Sequence, residues 1–520
     1  MMLLADRCVL VLGLGASGLA MAAWCARQGA AVRVWDSRAE PPQAASLAER
    51  VPGAVRLQGA LAEQELSGVH WVLKSPGLAP HDAAVAPVLA AAAAAGVRTG
   101  GELDLFLHAL QGLREAQGYA PRVLAITGTN GKTTTTALTA LLVERAGRTV
   151  RAAGNIGPTM LDSLAEALDA HALPDVWVLE LSSFQLHDLH PSAAFEPDAA
   201  VVLNLTQDHL DWHGTMPAYA AAKARVYGTT GTAVVNADNP EVAAMVPAPS
   251  PPAAARRGPR RVAAPPPRPV LRFSLHPPAH PGDFGLLEEA GMGWLVRALP
   301  VDEAFRGGRG EDEPLHLQRL MPVDAMRLRG RHNAANALAA LALATAIGCP
   351  LAPMLHGLRE YRGEPHRVQP VGEVDGVEAF DDSKGTNVGA TVAAIEGLGA
   401  DRAPARLVLI LGGDGKGQDF SPLAAPVARH ARAVALIGRD GPAIEAALAD
   451  ALAASAVPMQ HHPDLERAVA WCFAQARRGD AVLLSPACAS LDMFRGYGHR
   501  AEVFVQAVQA HAAEHGEALA

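Results

Sequence analysis

Short runs of apolar residues recur along the chain, most of them closed by a glycine or a polar residue and followed by longer stretches rich in alanine and leucine. Cys8 to Gly13, Ala31 to Trp35, Val123 to Ile126, Val176 to Leu179 and Ala199 to Leu205 are such runs in the first half. Leu407 to Leu411, Ala433 to Ile437 and Ala481 to Leu484 repeat the pattern in the second. Runs without polar alternation predict strands buried on both faces, and the helical stretches between them predict βα units wound into mainly parallel sheets. The alanine-rich segments Ala83 to Val97 and Ala334 to Gly348 are short for a bilayer and interrupted by Pro87 and Asn336, so they read as core helices with no membrane span. No short-period repeat is present. The fold class is therefore α/β, and 520 residues suggest about three domains, each with its own core. Shifts in pattern place them at 1–120, 121–329 and 330–520.

Composition narrows the class. Hydrophobic residues make up 50% of the chain but aromatics only 4%, which suits helix-rich α/β layers better than a β-sandwich. A net charge of −9 gives no pull toward nucleic acid. The 5 cysteines have no C-x-x-C pairing, so a disulfide framework or zinc knuckle is not expected. The first residues run straight into a strand with no room for a signal peptide, and a cytoplasmic location is expected. Between 247 and 269 the sequence is rich in Pro and Arg, including Arg256, Arg257, Arg260, Arg261 and Arg268, and reads as a solvated surface insertion. A scaffold or anionic-partner role would rest on that stretch alone.

The most specific chemistry is Gly128-Thr129-Asn130-Gly131-Lys132-Thr133-Thr134, between a strand and a helix. Glycines let the backbone aim its N–H groups at a polyphosphate, and the following helix N-terminus adds its dipole. Lys132 supplies charge to the terminal phosphates, and Thr133 stands where P-loops offer a hydroxyl to Mg²⁺. The full Walker spacing would need glycine at 126, where this chain has Ile126. Further on, Glu180 and His209 end strands where open α/β sheets place ligands, and a carboxylate there suits Mg²⁺. His209 also reads as a structural histidine, and Lys223 as an exposed helix lysine.

The first segment opens with Gly13-Leu14-Gly15-Ala16-Ser17-Gly18, a helix and a second strand ending at Asp36, the βαβ pattern of a Rossmann-like dinucleotide fold. Alone it would also fit a nicotinamide-dependent oxidoreductase. The loop Lys74-Ser75-Pro76-Gly77 is either a binding turn or a plain βα turn. In the third segment Asp382-Ser383-Lys384-Gly385-Thr386-Asn387 and Gly412-Gly413-Asp414-Gly415-Lys416 each pair an acid with a lysine on a loop, suited to an anionic, amine-bearing ligand or to surface ion pairs.

Together with Glu180-Leu-Ser-Ser-Phe-Gln185, Asp208-His209-Leu210-Asp211, Arg331-His332-Asn333, His366-Arg367 and Ser485-Pro-Ala-Cys-Ala-Ser490, these motifs resemble the ATP-dependent Mur ligases of peptidoglycan synthesis across nearly the whole chain. The resemblance implies a Rossmann-like first domain, a central P-loop-type ATPase domain and a Rossmann-like α/β third domain. It implies UDP-N-acetylmuramoyl-L-alanine, D-glutamate and ATP as partners, with a monomer acting through an acyl phosphate. Gly15, Ala16, Ser17, Asp36, Ser37, Arg38, Ser75, Pro76 and Gly77 would hold the UDP substrate, with Asn155 near its reacting carboxylate. The loop 128–134 with Asn333, Asn336, Arg367 and Asp382 would hold ATP. Thr133, Glu180 and His209 would bind Mg²⁺, and Lys223 would support the second metal as a CO₂-derived carbamate. Lys384, Thr386, Lys416, Ser490, Leu491 and Tyr497 would orient D-glutamate, Tyr497 standing where the family often has Phe. Another amide ligase of the same superfamily is the nearer alternative.

Overall fold

The computed structural model describes residues 4–61, 63–246, 268–301, 315–328, 330–402, 404–453 and 457–517. Residues 247–267, most of the expected Pro/Arg-rich insertion, lie outside that range, as do 302–314. Arg268 is described, and its guanidinium turns inward to donate to the carbonyls of Tyr227 at 2.7 Å and Gly231 at 2.7 Å.

The first sheet has five parallel strands in the order Val55–Leu57, Ala31–Trp35, Cys8–Leu12, Trp71–Lys74, Arg98–Gly100. Strand order reverses beside Cys8–Leu12, so a crevice forms at the carboxyl ends of Cys8–Leu12 and Trp71–Lys74, where doubly wound folds bind ligands. Gly18 is required there, because a Cβ at that position would lie 1.9 Å from the Gly13 carbonyl oxygen.

The second sheet has nine strands. Seven form a parallel block in the order Phe284–Glu289, Val270–Phe273, Thr232–Asn236, Ala199–Val202, Arg122–Thr127, Val176–Glu180, Val150–Gly154. Strand Met292–Pro300 pairs antiparallel with Phe284–Glu289 and Leu315–Pro322. The hairpin turns at Ala290 and Gly291, both at positive φ, the geometry of a tight two-residue connection. The flanking strands escape sequence reading because they are half-exposed and carry mixed polarity.

The third sheet runs Gln369–Val374, Val377–Asp381, Ala481–Leu484, Leu407–Gly412, Ala431–Ile437, Met459–His461, parallel except for its first strand. Its boundary differs from the expected one. Helices Arg331–Ala346 and Leu351–Glu360, placed by sequence with the third segment, share a core with helix Lys132–Arg145 and the middle sheet. Eleven residues of the first helix are buried, because alanine at nearly every turn lets it lie close against the sheet. We therefore draw the junction between 360 and 369. All five cysteines are free thiols. Among the described residues, no helix is long and apolar enough to cross a membrane.

Candidate active site

Strand Arg122–Thr127 delivers the chain into the phosphate loop, and helix Lys132–Arg145 leaves it. Gly131 caps that helix at φ +82, and a Cβ there would lie 2.5 Å from Asn336 Oδ1, so only glycine fits. The loop is held from one side: Thr129 N donates to the Asn204 carbonyl at 3.0 Å and Asn130 N to Asn204 Oδ1 at 2.8 Å. Lys132 curls back over it, donating to the carbonyls of Gly128 at 2.9 Å and Thr129 at 2.8 Å. Burial lowers the pKa of this ammonium, opposed by Glu180 and Asp208. Gly128, Thr133 and Thr134 complete the cradle.

A cavity of about 300 Å³ opens beside the loop, walled by Asn130, Gly131 and Thr134, by Asn333 and Asn336 of helix Arg331–Ala346, and by Arg367, Asp382 and Lys384 of the third domain. Residues far apart in sequence thus meet around one space. Arg367 donates to Thr133 Oγ1 at 2.5 Å, and Asn130 and Asn387 exchange side-chain amide hydrogen bonds at 3.2 and 3.0 Å. Asp382 is buried and accepts from Ser485 Oγ at 2.6 Å, with burial raising its pKa to about 7.

Glu180 ends strand Val176–Glu180 and is 2% exposed. Its Oε1 accepts from Asn155 Nδ2 at 2.9 Å, while the buried Oε2 has no hydrogen-bond partner among the described residues. An unsatisfied buried carboxylate oxygen beside a phosphate loop fits a bound cation. Among the described residues, no three His, Cys, Asp or Glu side chains form a metal cage. A cation here would take one carboxylate, a hydroxyl and phosphate oxygens, the habit of Mg²⁺. His209, at φ +54, opens helix Leu210–His213 with Nε2 3.5 Å from Asp208 Oδ2. Burial lowers its pKa and favours the neutral, metal-binding imidazole.

Lys223 overturns the reading of an exposed helix lysine, for it is 1% exposed. It donates to the Gly128 carbonyl at 2.8 Å and lies 4.6 Å from the Tyr219 ring centroid, with no ion pair among the described residues. Burial, then the neighbouring Lys132, pushes its pKa well below the ordinary lysine range.

In the third domain Lys384 sits 3.7 Å over the Tyr497 ring. Thr386 follows on the same loop, and Lys416, at φ +53, lies on the loop after Leu407–Gly412. That loop is zipped to the segment carrying Ser490 by paired backbone bonds between Asp414 and Ala489, at 2.9 and 2.8 Å. Ser490 is buried and Leu491 exposed. Sequence reading missed Arg500, which is fully buried and donates to Ser383 O at 2.8 Å, Ser383 Oγ at 3.0 Å and Cys488 O at 3.2 Å. Its signal was an arginine on the apolar face of helix Tyr497–Glu514, between Tyr497 and Phe504.

The expected UDP residues gather at the crevice of the first sheet. Gly15 caps helix Ala16–Arg27, Leu14 N donates to Asp36 Oδ2 at 2.6 Å, and Arg38 pairs with Asp36 at 2.8 Å, holding that carboxyl at about 2. Ser37 lies between them, and Ser75 Oγ donates to the Gly13 carbonyl at 3.0 Å, with Pro76 and Gly77 following. Ser17 Oγ donates to Glu102 at 2.5 Å, a buried residue that sequence reading passed over.

Three family models match the chain: Mur ligase MurD-like, N-terminal domain, over residues 7–101; Mur ligase middle domain, over 126–254; and Mur ligase, glutamate ligase domain, over 366–488. A UDP-N-acetylmuramoylalanine–D-glutamate ligase of Albidiferax ferrireducens is 58% identical over 511 residues, 97% of this chain and 96% of the relative. One of Burkholderia pseudomallei strain 668 is 57% identical over 521 residues, 98% of each. Among solved structures, the MurF ligase of Thermotoga maritima in complex with ADP aligns with a TM-score of 0.57 at 16% identity, over 99% of this chain and 96% of that one. The UDP-N-acetylmuramate–alanine ligase of the same organism aligns with a TM-score of 0.54 at 18% identity, over 97% and 99%. At these identities the structural likenesses carry the fold alone.

Proposed function

This chain belongs to the Mur ligase family, and from that premise we propose how its residues carry out the family's reaction. It is an ATP-dependent ligase of peptidoglycan precursor synthesis that joins D-glutamate to the alanine carboxylate of UDP-N-acetylmuramoyl-L-alanine, releasing ADP and phosphate. The observation that carries the mechanism is the meeting of the phosphate loop, helix Arg331–Ala346 and the third-domain loop at 382–385 around one cavity.

ATP lies along loop 128–134, with Asn333, Asn336, Arg367 and Asp382 at its base, phosphates and sugar and Lys132 at its terminal phosphates. The acceptor lies in the first-sheet crevice, with Asn155 near its carboxylate. That carboxylate attacks the γ-phosphorus and ADP leaves, giving an acyl phosphate. The amine of D-glutamate, held by Lys384, Thr386, Lys416 and the Ser490–Tyr497 segment, attacks the acyl carbon and loses a proton. Phosphate then departs with the former carboxylate oxygen. Several anionic oxygens meet in one place, so positioning and charge neutralisation supply most of the rate. Mg²⁺, held through Thr133, Glu180 and His209, would add further neutralisation of the phosphate oxygens.

Lys223 is the natural site of carbamylation. Its buried amine, in the neutral form that burial favours, attacks CO₂ and loses a proton, forming an N–C bond and an anion beside the phosphate loop. The reading includes a monomer, since the proposed contacts to all three substrates come from one chain, and keeps the cytoplasmic location expected from the sequence.

The test is ADP release with UDP-N-acetylmuramoyl-L-alanine and Mg²⁺, across D-glutamate, L-glutamate, L-alanine and diaminopimelate. Turnover with D-glutamate alone is expected. Turnover with another amino acid would refute the specificity.

A further inference from the structure

Lys74 ends strand Trp71–Lys74, immediately before Ser75, Pro76 and Gly77, and its side chain is buried at the junction of the first and middle domains. Its ammonium donates to the Leu78 carbonyl at 2.6 Å and lies 2.7 Å from Asp188 Oδ2, the two side chains being 5% and 7% exposed. It also stands 5.3 Å from the Trp212 ring centroid. Asp188 closes helix Ser183–Asp188, which begins just past Glu180, and Trp212 belongs to the short helix that follows His209. Phe184 of the first of these helices stacks on Trp212 at 4.6 Å. One buried charge thus reaches from the loop expected at the UDP substrate to the two helices that follow Glu180 and His209.

We propose that Lys74 and Asp188 are a positioning pair that fixes the UDP-substrate loop against the ATP-binding domain, presenting the acceptor carboxylate to the phosphate loop in a single orientation. The proposal rests on the assignment of Ser75 to Gly77 to the UDP-substrate site. Two exposed ion pairs, Arg27–Asp169 at 2.6 Å and Arg50–Asp162 at 2.5 Å, also cross this junction, but both are screened by water and tolerate sliding. A buried pair does not. Desolvation cancels much of its attraction, so it adds little stability, yet any shift that separates the charges leaves one of them buried alone. The net effect is geometric restraint, not cohesion. That restraint acts where a displacement of about 1 Å between reacting groups costs about a hundredfold in rate.

Three variants of the full-length enzyme separate positioning from mere folding. Asp188→Glu keeps both charges but lengthens the link, and Lys74→Met removes one charge. Lys74→Met combined with Asp188→Leu replaces the pair by apolar groups, a change that buried pairs commonly tolerate in stability. Melting temperature and the KM of each of the three substrates are measured. In Asp188→Glu and in the double variant, kcat, measured alongside, is expected to fall about tenfold or more and the KM for UDP-N-acetylmuramoyl-L-alanine to rise about tenfold, with the KM values for ATP and D-glutamate within about twofold of the parent. Lys74→Met is expected to show the same rise with a lowered melting temperature, which the double variant restores. Recovery of the acceptor KM along with the melting temperature in the double variant would overturn the proposal, as would an equal change in all three KM values. If the unsubstituted enzyme itself failed to use this acceptor, the functional assignment would fall first and the pair's role with it.

Discussion

Lys223 sits on helix Met216–Ala224 in a sequence, Tyr-Ala-Ala-Ala-Lys-Ala, whose small residues give no sign of burial. Its chemistry comes from tertiary neighbours: the Gly128 carbonyl, the Tyr219 ring and the nearby Lys132 charge. A carbamate there predicts that Lys223→Ala loses at least about a hundredfold in kcat and that formate or acetate partly restores it, seen in ADP-release assays with and without the added acid. Failure of rescue in a folded variant would contradict the modification. Glu102 is the converse case, a carboxyl that burial raises to about 7 from an ordinary 4.5. Its Oε1 accepts from Leu161 N at 3.2 Å and its Oε2 from the Ser17 hydroxyl at 2.5 Å. The folded protein keeps this proton longer than the unfolded chain. Stability from the protonated form is therefore full below pH 4.5 and lost as pH rises through about 7. Glu102→Gln, which retains the shape and removes the titration, should flatten that decline by up to about 1.4 kcal/mol per pH unit. Denaturant melts of both proteins between pH 5 and 8 would show it; parallel curves would refute the buried titration.

Elements were legible in the sequence wherever a local rule fixed them. The parallel strands read as apolar runs because they are buried on both faces, and the phosphate loop read from its glycines because Gly131 must hold φ +82 against Asn336. Gly131→Ala combines a strained backbone with that clash, so it should cost about 1 kcal/mol or more in stability and raise the KM for ATP. Thermal melts and initial rates would check both effects, and an unchanged ATP KM would show that the loop geometry does not matter. Elements whose identity depends on partners were less readable. Strand Leu315–Pro322 alternates mixed polarity at a half-exposed edge, and helix Arg331–Ala346 looks continuous with the segment after it although it packs on the sheet before it. Glu102 and Arg500 went unread for the same reason, and Lys74 was read only as part of its turn. A charged residue looks solvated until the fold supplies the surface that buries it.

Across the whole molecule, each domain contributes one group of candidate residues, and three of the polar contacts between domains fall close to them. Asn130 with Asn387 and Thr133 with Arg367 join the phosphate loop to the third domain, while Lys74 with Asp188 joins the crevice of the first sheet, proposed for the acceptor, to the second. A division of this kind suits a reaction in which three substrates must meet in order. The most direct test of that account follows one oxygen atom. With UDP-N-acetylmuramoyl-L-alanine labelled by ¹⁸O in its alanine carboxylate, an acyl phosphate requires one labelled oxygen to leave in the phosphate released during D-glutamate-dependent turnover. The ³¹P isotope shift of the released phosphate reports this. The label should appear in the phosphate in proportion to the peptide formed; peptide formed with unlabelled phosphate would contradict activation of the acceptor carboxylate by ATP.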